Sequence, residues 1–392
     1  MTAPAPRHFT KALFLHAWDL QDPGVERLMA WARTTGLDTL CLAAAYHSGW
    51  LVQPHHSSRR LRWSESGAVY FHPDEKLYHN TRLKPIVADI ATENWFRLAS
   101  KRAKEFDLKL VAWTVGAHNT RLGLAHPALA QQSAYGDILP HALSLGHQEV
   151  RAYLKGLCRD LAVNYSPYGI QLEGFQWHSV RHNHSHERDL TGLNDMERQL
   201  LSVCFNPETV DLAEQAGIDA GAARQIVRDT LETAFAHSPH RPAEHPQSLG
   251  ELEQQHPELL QYNHFLRDLA DSLIREIRQE SLRSSDCKLY LQTGFNSAVA
   301  DLCDGFAVWA YGQDAEQTFR TVRSGTNQLP RTWQGEFHCY IRLGMGIPSS
   351  LKELQSIIQA AREAGATGIY FYNYSEAPPT MLEWLAPALA DQ

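Results

Sequence analysis

The sequence predicts an α/β chain of the (β/α)8 TIM-barrel class, and three observations predict it. Eight short runs rich in aliphatic and aromatic residues recur along the chain. Most are followed by a pattern of helical period, the alternation that builds a parallel sheet. The length, 392 residues, suffices for one large barrel with insertions and is too short for two. In this architecture the chemistry sits at the C-terminal ends of the strands.

The first strand is read over residues 12–19 (ALFLHAWD), with a helix from about 23 to 35. The second, 37–46 (LDTLCLAAAY), is small and apolar throughout, as a strand covered on both faces should be. A helix near 94–106 leads to the third strand, 108–114, and a helix over 148–164 leads to the fourth. That strand opens the run Gly169-Ile-Gln-Leu-Glu-Gly-Phe-Gln-Trp-His178. Strands five to eight are read at 288–293, 305–311, 337–343 and 367–374. The helix 350–364 ends at Gly365, and Pro378-Pro379 precedes a closing helix through Leu389. Three long excursions follow strands and therefore fall on the catalytic face. They are 47–93, where residues 69–72 read as a small hairpin, then 115–147, and 178–287. The last is mostly helical (196–203, 211–216, 222–235, 249–283), so residues 1–392 read as one barrel domain with 178–287 as a helical insertion over its mouth.

Composition narrows the function. With 43% hydrophobic and 20% charged residues the chain reads as a soluble globular enzyme, and a net charge of −8 argues against nucleic-acid binding. No stretch approaches the ~20 apolar residues of a membrane span, and residues 1–11 contain no apolar signal core. The six cysteines form no CxxC pair and read as buried free thiols, which places the protein in the cytoplasm. Neither a Gly-x-Gly-x-x-Gly turn nor a Walker loop is present, so no cofactor is expected. A Gly-x-Ser-x-Gly elbow is also missing. Lys109 and Lys288 open their strands, the wrong end for a Schiff base.

Alternate residues of a barrel strand point inward. In strand four the helix layer takes Ile170 and Leu172, which turns Glu173 into the barrel near its rim. The same parity gives Asp19 past strand one, His47 past strand two, Gln292 on strand five, Trp309 and Tyr311 on strand six, and Arg342 on strand seven. Strand eight offers Tyr372 or Asn373, with Glu376 beyond. Trp50, Trp63 and Trp177 lie past strand ends, where an aromatic face can stack on a ligand; Trp113 divides evenly between that role and core packing. His178, His182, His184, His186 and Glu187 make a histidine-rich loop after strand four, read as substrate-binding or gating. Strands one to three supply no metal-spaced ligand set, so no metal is expected. A guanidinium at Arg342 requires an anion, either Glu173 or a substrate carboxylate, which admits an acidic sugar. Acids, amides and aromatic platforms together suit a sugar ring.

These motifs resemble a family. Strand one ending in Trp18-Asp19, Ala45-Tyr-His-Ser-Gly49, Leu172-Glu-Gly-Phe175 with its His-rich sequel, and Tyr370-Phe-Tyr-Asn-Tyr374 look like bacterial TIM-barrel proteins grouped with glycoside hydrolases. The resemblance spans roughly residues 10–390 apart from the helical insertion. It implies hydrolysis of a glycosidic bond in an oligosaccharide or glycoside. The commonest clan of retaining barrel glycosidases carries Asn-Glu ending strand four and a second Glu ending strand seven. Here Gln171-Leu172-Glu173 and Arg342-Leu343-Gly344 stand instead, with Glu336 at the opposite end, so that clan's nucleophile does not carry over. Glu173 is the expected general acid, its pKa raised by apolar and aromatic walls. Asp19, Glu187 and Glu376 are candidates for the second carboxylate. Two alternatives stand beside this reading: a non-catalytic carbohydrate-binding barrel, and a metal-dependent sugar isomerase or hydrolase using His182, His184 and His186.

Overall fold

Eight parallel strands close a ring in the computed structural model, which describes residues 8–57, 59–180, 192–344 and 346–390. They are β1 (Thr10–Leu15), β2 (Thr39–Tyr46), β3 (Lys109–Val115), β4 (Gly169–Glu173), β5 (Lys288–Leu291), β6 (Gly305–Trp309), β7 (Glu336–Arg342) and β8 (Gly368–Tyr372). Each pairs with its sequence neighbour, and β1 pairs with β8 from Thr10↔Gly368 to Leu13↔Phe371, which completes the (β/α)8 barrel.

The alternation of side chains sorts the strands into two layers. Leu13, Leu40, Leu110, Ile170, Leu289, Phe306, Ile341 and Ile369 face outward and merge with the surrounding helices into one large core. Inward-facing Phe14, Cys41, Trp113, Tyr290, Tyr340 and Tyr370 form a separate cluster. Barrel interiors ordinarily favour branched aliphatics; this one is built of rings. Phe14 meets Trp113 and Tyr340 edge-on at 5.0 and 5.3 Å. Among them Gln171 donates to the Tyr340 hydroxyl and His338 meets Glu336 at 2.9 Å. Burial pushes the Glu336 carboxyl up, but His338 and the Lys288 ammonium outweigh it and hold it down at about 2.

The excursions depart from the simplest reading in three ways. β1 stops at Leu15, and Ala17–Gln21 forms a short helix capped by reciprocal bonds between His16 and Asp19. The hairpin after β2 lies at Gly49–Val52 and Leu61–Ser64, and not at 69–72; Ala68–Val69, which overlaps the predicted hairpin only at Val69, pairs antiparallel with β2. The helix expected over 249–283 is broken: Leu249–Gln255 ends and Pro257–Glu276 begins anew. Proline has no N–H to continue a helix and fits its first turn.

Between β4 and β5 the helices Asp195–Ser202, Pro207–Gln215, Ala220–His237, Leu249–Gln255 and Pro257–Glu276 gather a core of their own around Leu200, Phe205, Val227, Leu231 and Tyr262. Inside it Glu197, fully buried, meets Arg241 at 2.6 Å and His245 at 3.0 Å. All six cysteines are buried free thiols. Among the described residues no helix is long and apolar enough to cross a membrane.

Candidate active site

Glu173 is the last residue of β4, and the register sets Gln171 beside Trp113 on β3. Both strands turn these residues inward, so the Trp113 indole stands next to the Glu173 carboxylate and donates its N–H to Oε2 at 2.5 Å. Tyr46 and Tyr372 join hydroxyls at 3.0 Å, and the Tyr311 ring lies 5.6 Å from Tyr372. Burial holds the Tyr372 phenol up at about 12 and those of Tyr46 and Tyr311 well above their ordinary value, with the charge of Glu173 adding to all three. At neutral pH these phenols therefore carry their protons and serve as donors.

Glu376, just past β8, is a further carboxylate at this end of the barrel. Its Oε2 accepts from Arg342 Nη2 at 3.2 Å and Asn373 Nδ2 at 3.0 Å, while its backbone N–H donates to Asn373 Oδ1 at 2.9 Å. The anion that Arg342 requires is thus Glu376, which removes the reason for placing a substrate carboxylate there. Asn373 is fully buried and braces Glu376; on β8 it is Tyr372 that faces inward. Charge on Glu376, like that on Glu173, reaches both Tyr46 and Tyr372. The two phenols accordingly stand within the fields of both acids.

Asp19, expected at the mouth, is 1% exposed. Its oxygens accept from Ser375 Oγ at 2.8 Å and from the His16 backbone N–H at 2.8 Å. The cause is the early end of β1, which winds Asp19 back beneath the strand ends. Ser375 Oγ also receives the Trp18 indole N–H at 2.8 Å, so this serine ties the ends of β1 and β8 together.

A wall of imidazoles flanks the phenols. His47 stacks on Tyr46 at 4.3 Å and on His118 at 4.6 Å, and His118 lies 5.3 Å from His178. Gly174 takes φ +66°, and a Cβ there would sit 3.2 Å from the His178 ring. His178 is anchored through its backbone, whose N–H and carbonyl both engage the Gln131 amide. His186 and Glu187 lie outside the described residues, as do His182 and His184. Among the described residues no group of three or more His, Cys, Asp or Glu side chains could hold a metal ion.

The remaining predicted positions scatter. Trp309 and Tyr311 are partly exposed at the rim, at 42% and 36%. Gln292 is buried, its N–H paired with the Leu172 carbonyl. Trp177 turns away to donate to the Leu266 carbonyl at 2.6 Å, docking the helical insertion. Trp50 rides on the hairpin, 63% exposed. Sequence reading missed Tyr46 and His118. For Tyr46 the reason is a bulge in β2 between Ala43 and Ala45, which resets the alternation and turns Tyr46 inward.

No family model matches this chain, and no curated protein matches it in sequence. Solved structures do match its fold. α-L-Fucosidase isoenzyme 2 from Paenibacillus thiaminolyticus superposes with a TM-score of 0.60 at 10% identity, covering 98% of this chain. The chain spans only about half, 49%, of that protein. The catalytic domain of β-amylase from Paenibacillus polymyxa gives 0.54 at 10% identity, covering 99% of both chains. The PgaB (BpsB) glycoside hydrolase domain from Bordetella bronchiseptica gives 0.54 at 13% identity over 97% of this chain and 99% of its own. These likenesses establish the barrel as one that glycoside hydrolases use.

Proposed function

We propose that this protein is a glycoside hydrolase in which Glu173 is the general acid and Glu376 the second carboxylate. One arrangement carries the reading: Glu173, ending β4, and Glu376, just past β8, lie at the C-terminal end of the barrel, each held by its own donors, Trp113 for the first and Arg342 with Asn373 for the second. Trp113 holds Oε2 of Glu173, which fixes the orientation of that carboxyl group. Arg342 and Asn373 fix Glu376, and a nucleophile or base needs a fixed orientation. In the reaction Glu173 protonates the glycosidic oxygen as the bond breaks. Glu376 then either bonds to the anomeric carbon or takes a proton from the attacking water. A carboxyl separation of ~5 Å gives retention and ~6.5–9.5 Å gives inversion. Phenolic donors near the ring oxygens stabilise charge as it develops. In this reading the helical stretch between β4 and β5 walls the mouth, and the imidazoles of His47, His118 and His178 line it beside Tyr46.

The test is cleavage of a panel of aryl glycosides and oligosaccharides, uronides included, by wild type, Glu173→Gln and Glu376→Gln, with and without chelator. A loss of ~10³-fold or more in both variants, indifferent to chelator, is expected. Activity abolished by chelator would move the assignment to metal chemistry. Ligand-dependent thermal stabilisation without cleavage would make the barrel a sugar-binding protein.

A further inference from the structure

The hairpin Gly49–Val52/Leu61–Ser64 is fastened to the rim of the barrel at its base, its middle and its tip. At the base Ser64 Oγ donates to the His47 carbonyl at 3.0 Å, and His47 stacks on Tyr46. In the middle Arg62 sets its guanidinium 5.2 Å over the Trp18 ring, on the short helix that follows β1. Beyond the strands the Ser57 hydroxyl donates to Asp22 at 2.6 Å, and His55 Nδ1 lies 3.1 Å from the Ala377 carbonyl oxygen. The hairpin therefore passes over the end of β1, from the residue after Tyr46 to the residue after Glu376. Both of those neighbours belong to the candidate site.

Its two faces are unlike. On the inner face Leu51 is buried against the ring cluster of the barrel interior. On the outer face the register pairs Trp50 with Trp63 and Val52 with Leu61, which makes one strip of two cross-strand pairs. These side chains are 63%, 50%, 57% and 57% exposed, in that order. The indoles lie 5.1 Å apart with planes inclined at 62°, an edge contact that leaves ring faces open to solvent. The strip exposes on the order of 400–500 Å² of apolar surface, and a contiguous patch of that size marks an interaction site. A stable protein interface takes about 800 Å² from each partner, so the strip alone is too small for a second copy of the chain. A sugar ring asks for less. Its C–H face covers one indole while its hydroxyls stay in water, so neither a large area nor a closed pocket is needed.

We propose that the outer strip of the hairpin is a platform for a polysaccharide chain, with Trp50 and Trp63 stacking on sugar rings at the rim while another part of the chain enters the mouth. The substrate class is then a polymer. The inference rests on the hydrolase reading for what the chain meets inside the barrel, whereas binding to the strip is measured without turnover. Its test is affinity electrophoresis of the full chain carrying Glu173→Gln, in native gels that hold barley β-glucan, arabinoxylan, glucomannan, pullulan or polygalacturonate. Retardation by at least one polymer is expected. Trp50→Ala and Trp63→Ala, each added singly, are expected to weaken that binding ~10-fold or more, and Trp50→Phe to retain most of it. Both indoles are exposed, so these variants should melt close to the parent protein. No retardation by any of the five polymers, or retardation that both alanine variants keep, would overturn the proposal. So would a dimer in sedimentation that Trp63→Ala dissociates, or binding to phosphatidylglycerol vesicles that the same variant abolishes, since either gives the strip another occupant. Retardation that depends on the indoles, with no cleavage by wild type, leaves the platform standing and removes hydrolysis. Cleavage of aryl glycosides with no retardation does the reverse.

Discussion

Trp113 and Glu173 show what a single hydrogen bond decides. An indole N–H donated to a carboxylate favours the charged form. Trp113→Phe keeps the ring and removes that donor, so the Glu173 carboxyl loses its fixed orientation and kcat is expected to fall ~10-fold; steady-state kinetics of wild type and variant measure it. Tyr46→Phe removes the hydroxyl shared with Tyr372 and is expected to lower kcat ~10-fold with little change in KM, checked by steady-state kinetics. At this scale the sequence was partly legible. Alternation within β4 is strict, so Glu173 could be read inward from Ile170 and Leu172 alone. Tyr46 could not, because a bulge carries no fixed residue signature. Asp19 could not either, since nothing in Leu15-His16-Ala17 announces the switch from strand to helix. The partner of Arg342 was hidden as well, because it comes from the far side of a turn after β8.

Elements hold these residues through their ends. Gly174 leaves β4 with φ +66°, and a Cβ there would press on the His178 ring at 3.2 Å. Gly174→Ala is expected to cost about 1–2 kcal/mol for the left-handed backbone, and to lower activity further by displacing His178; thermal melts and kcat separate the two effects. Strand and helix identities were legible because their periods differ, and long periodic segments announce themselves. Boundaries in the excursions were less so. Pro257 marked its own break, yet the apolar pattern on both sides conceals it. The hairpin at Gly49–Val52 and Leu61–Ser64 was missed because its outer face is apolar and exposed, the reverse of the pattern that marks a half-buried strand.

Across the whole molecule, stability follows two paired acids, Glu336, partly buried at the start of β7, and Glu197, buried in the helical core. Glu336 in the barrel interior is held at about 2, below the ~4.3 of an unfolded glutamate. Its contribution is complete above about pH 4.3 and is lost as pH falls toward 2. Melting temperature followed from pH 6 to pH 2.5 should fall through that window in wild type, and less steeply in Glu336→Gln. Glu197→Gln leaves Arg241 and His245 buried without their anion and is expected to cost ~3 kcal/mol, read by urea unfolding. That second core has a consequence for the order of events at the ribosome. β4 and β5 are neighbours in the ring, yet residues 174–287 come between them in the chain. A growing polypeptide therefore holds β1 to β4 as an open sheet while the intervening stretch emerges, and β4 waits with a bare edge, the usual template for mispairing. Helices that satisfy their own backbone and bury their own apolar faces keep that stretch from adding to the edge, and the place beside β4 stays vacant until β5 arrives.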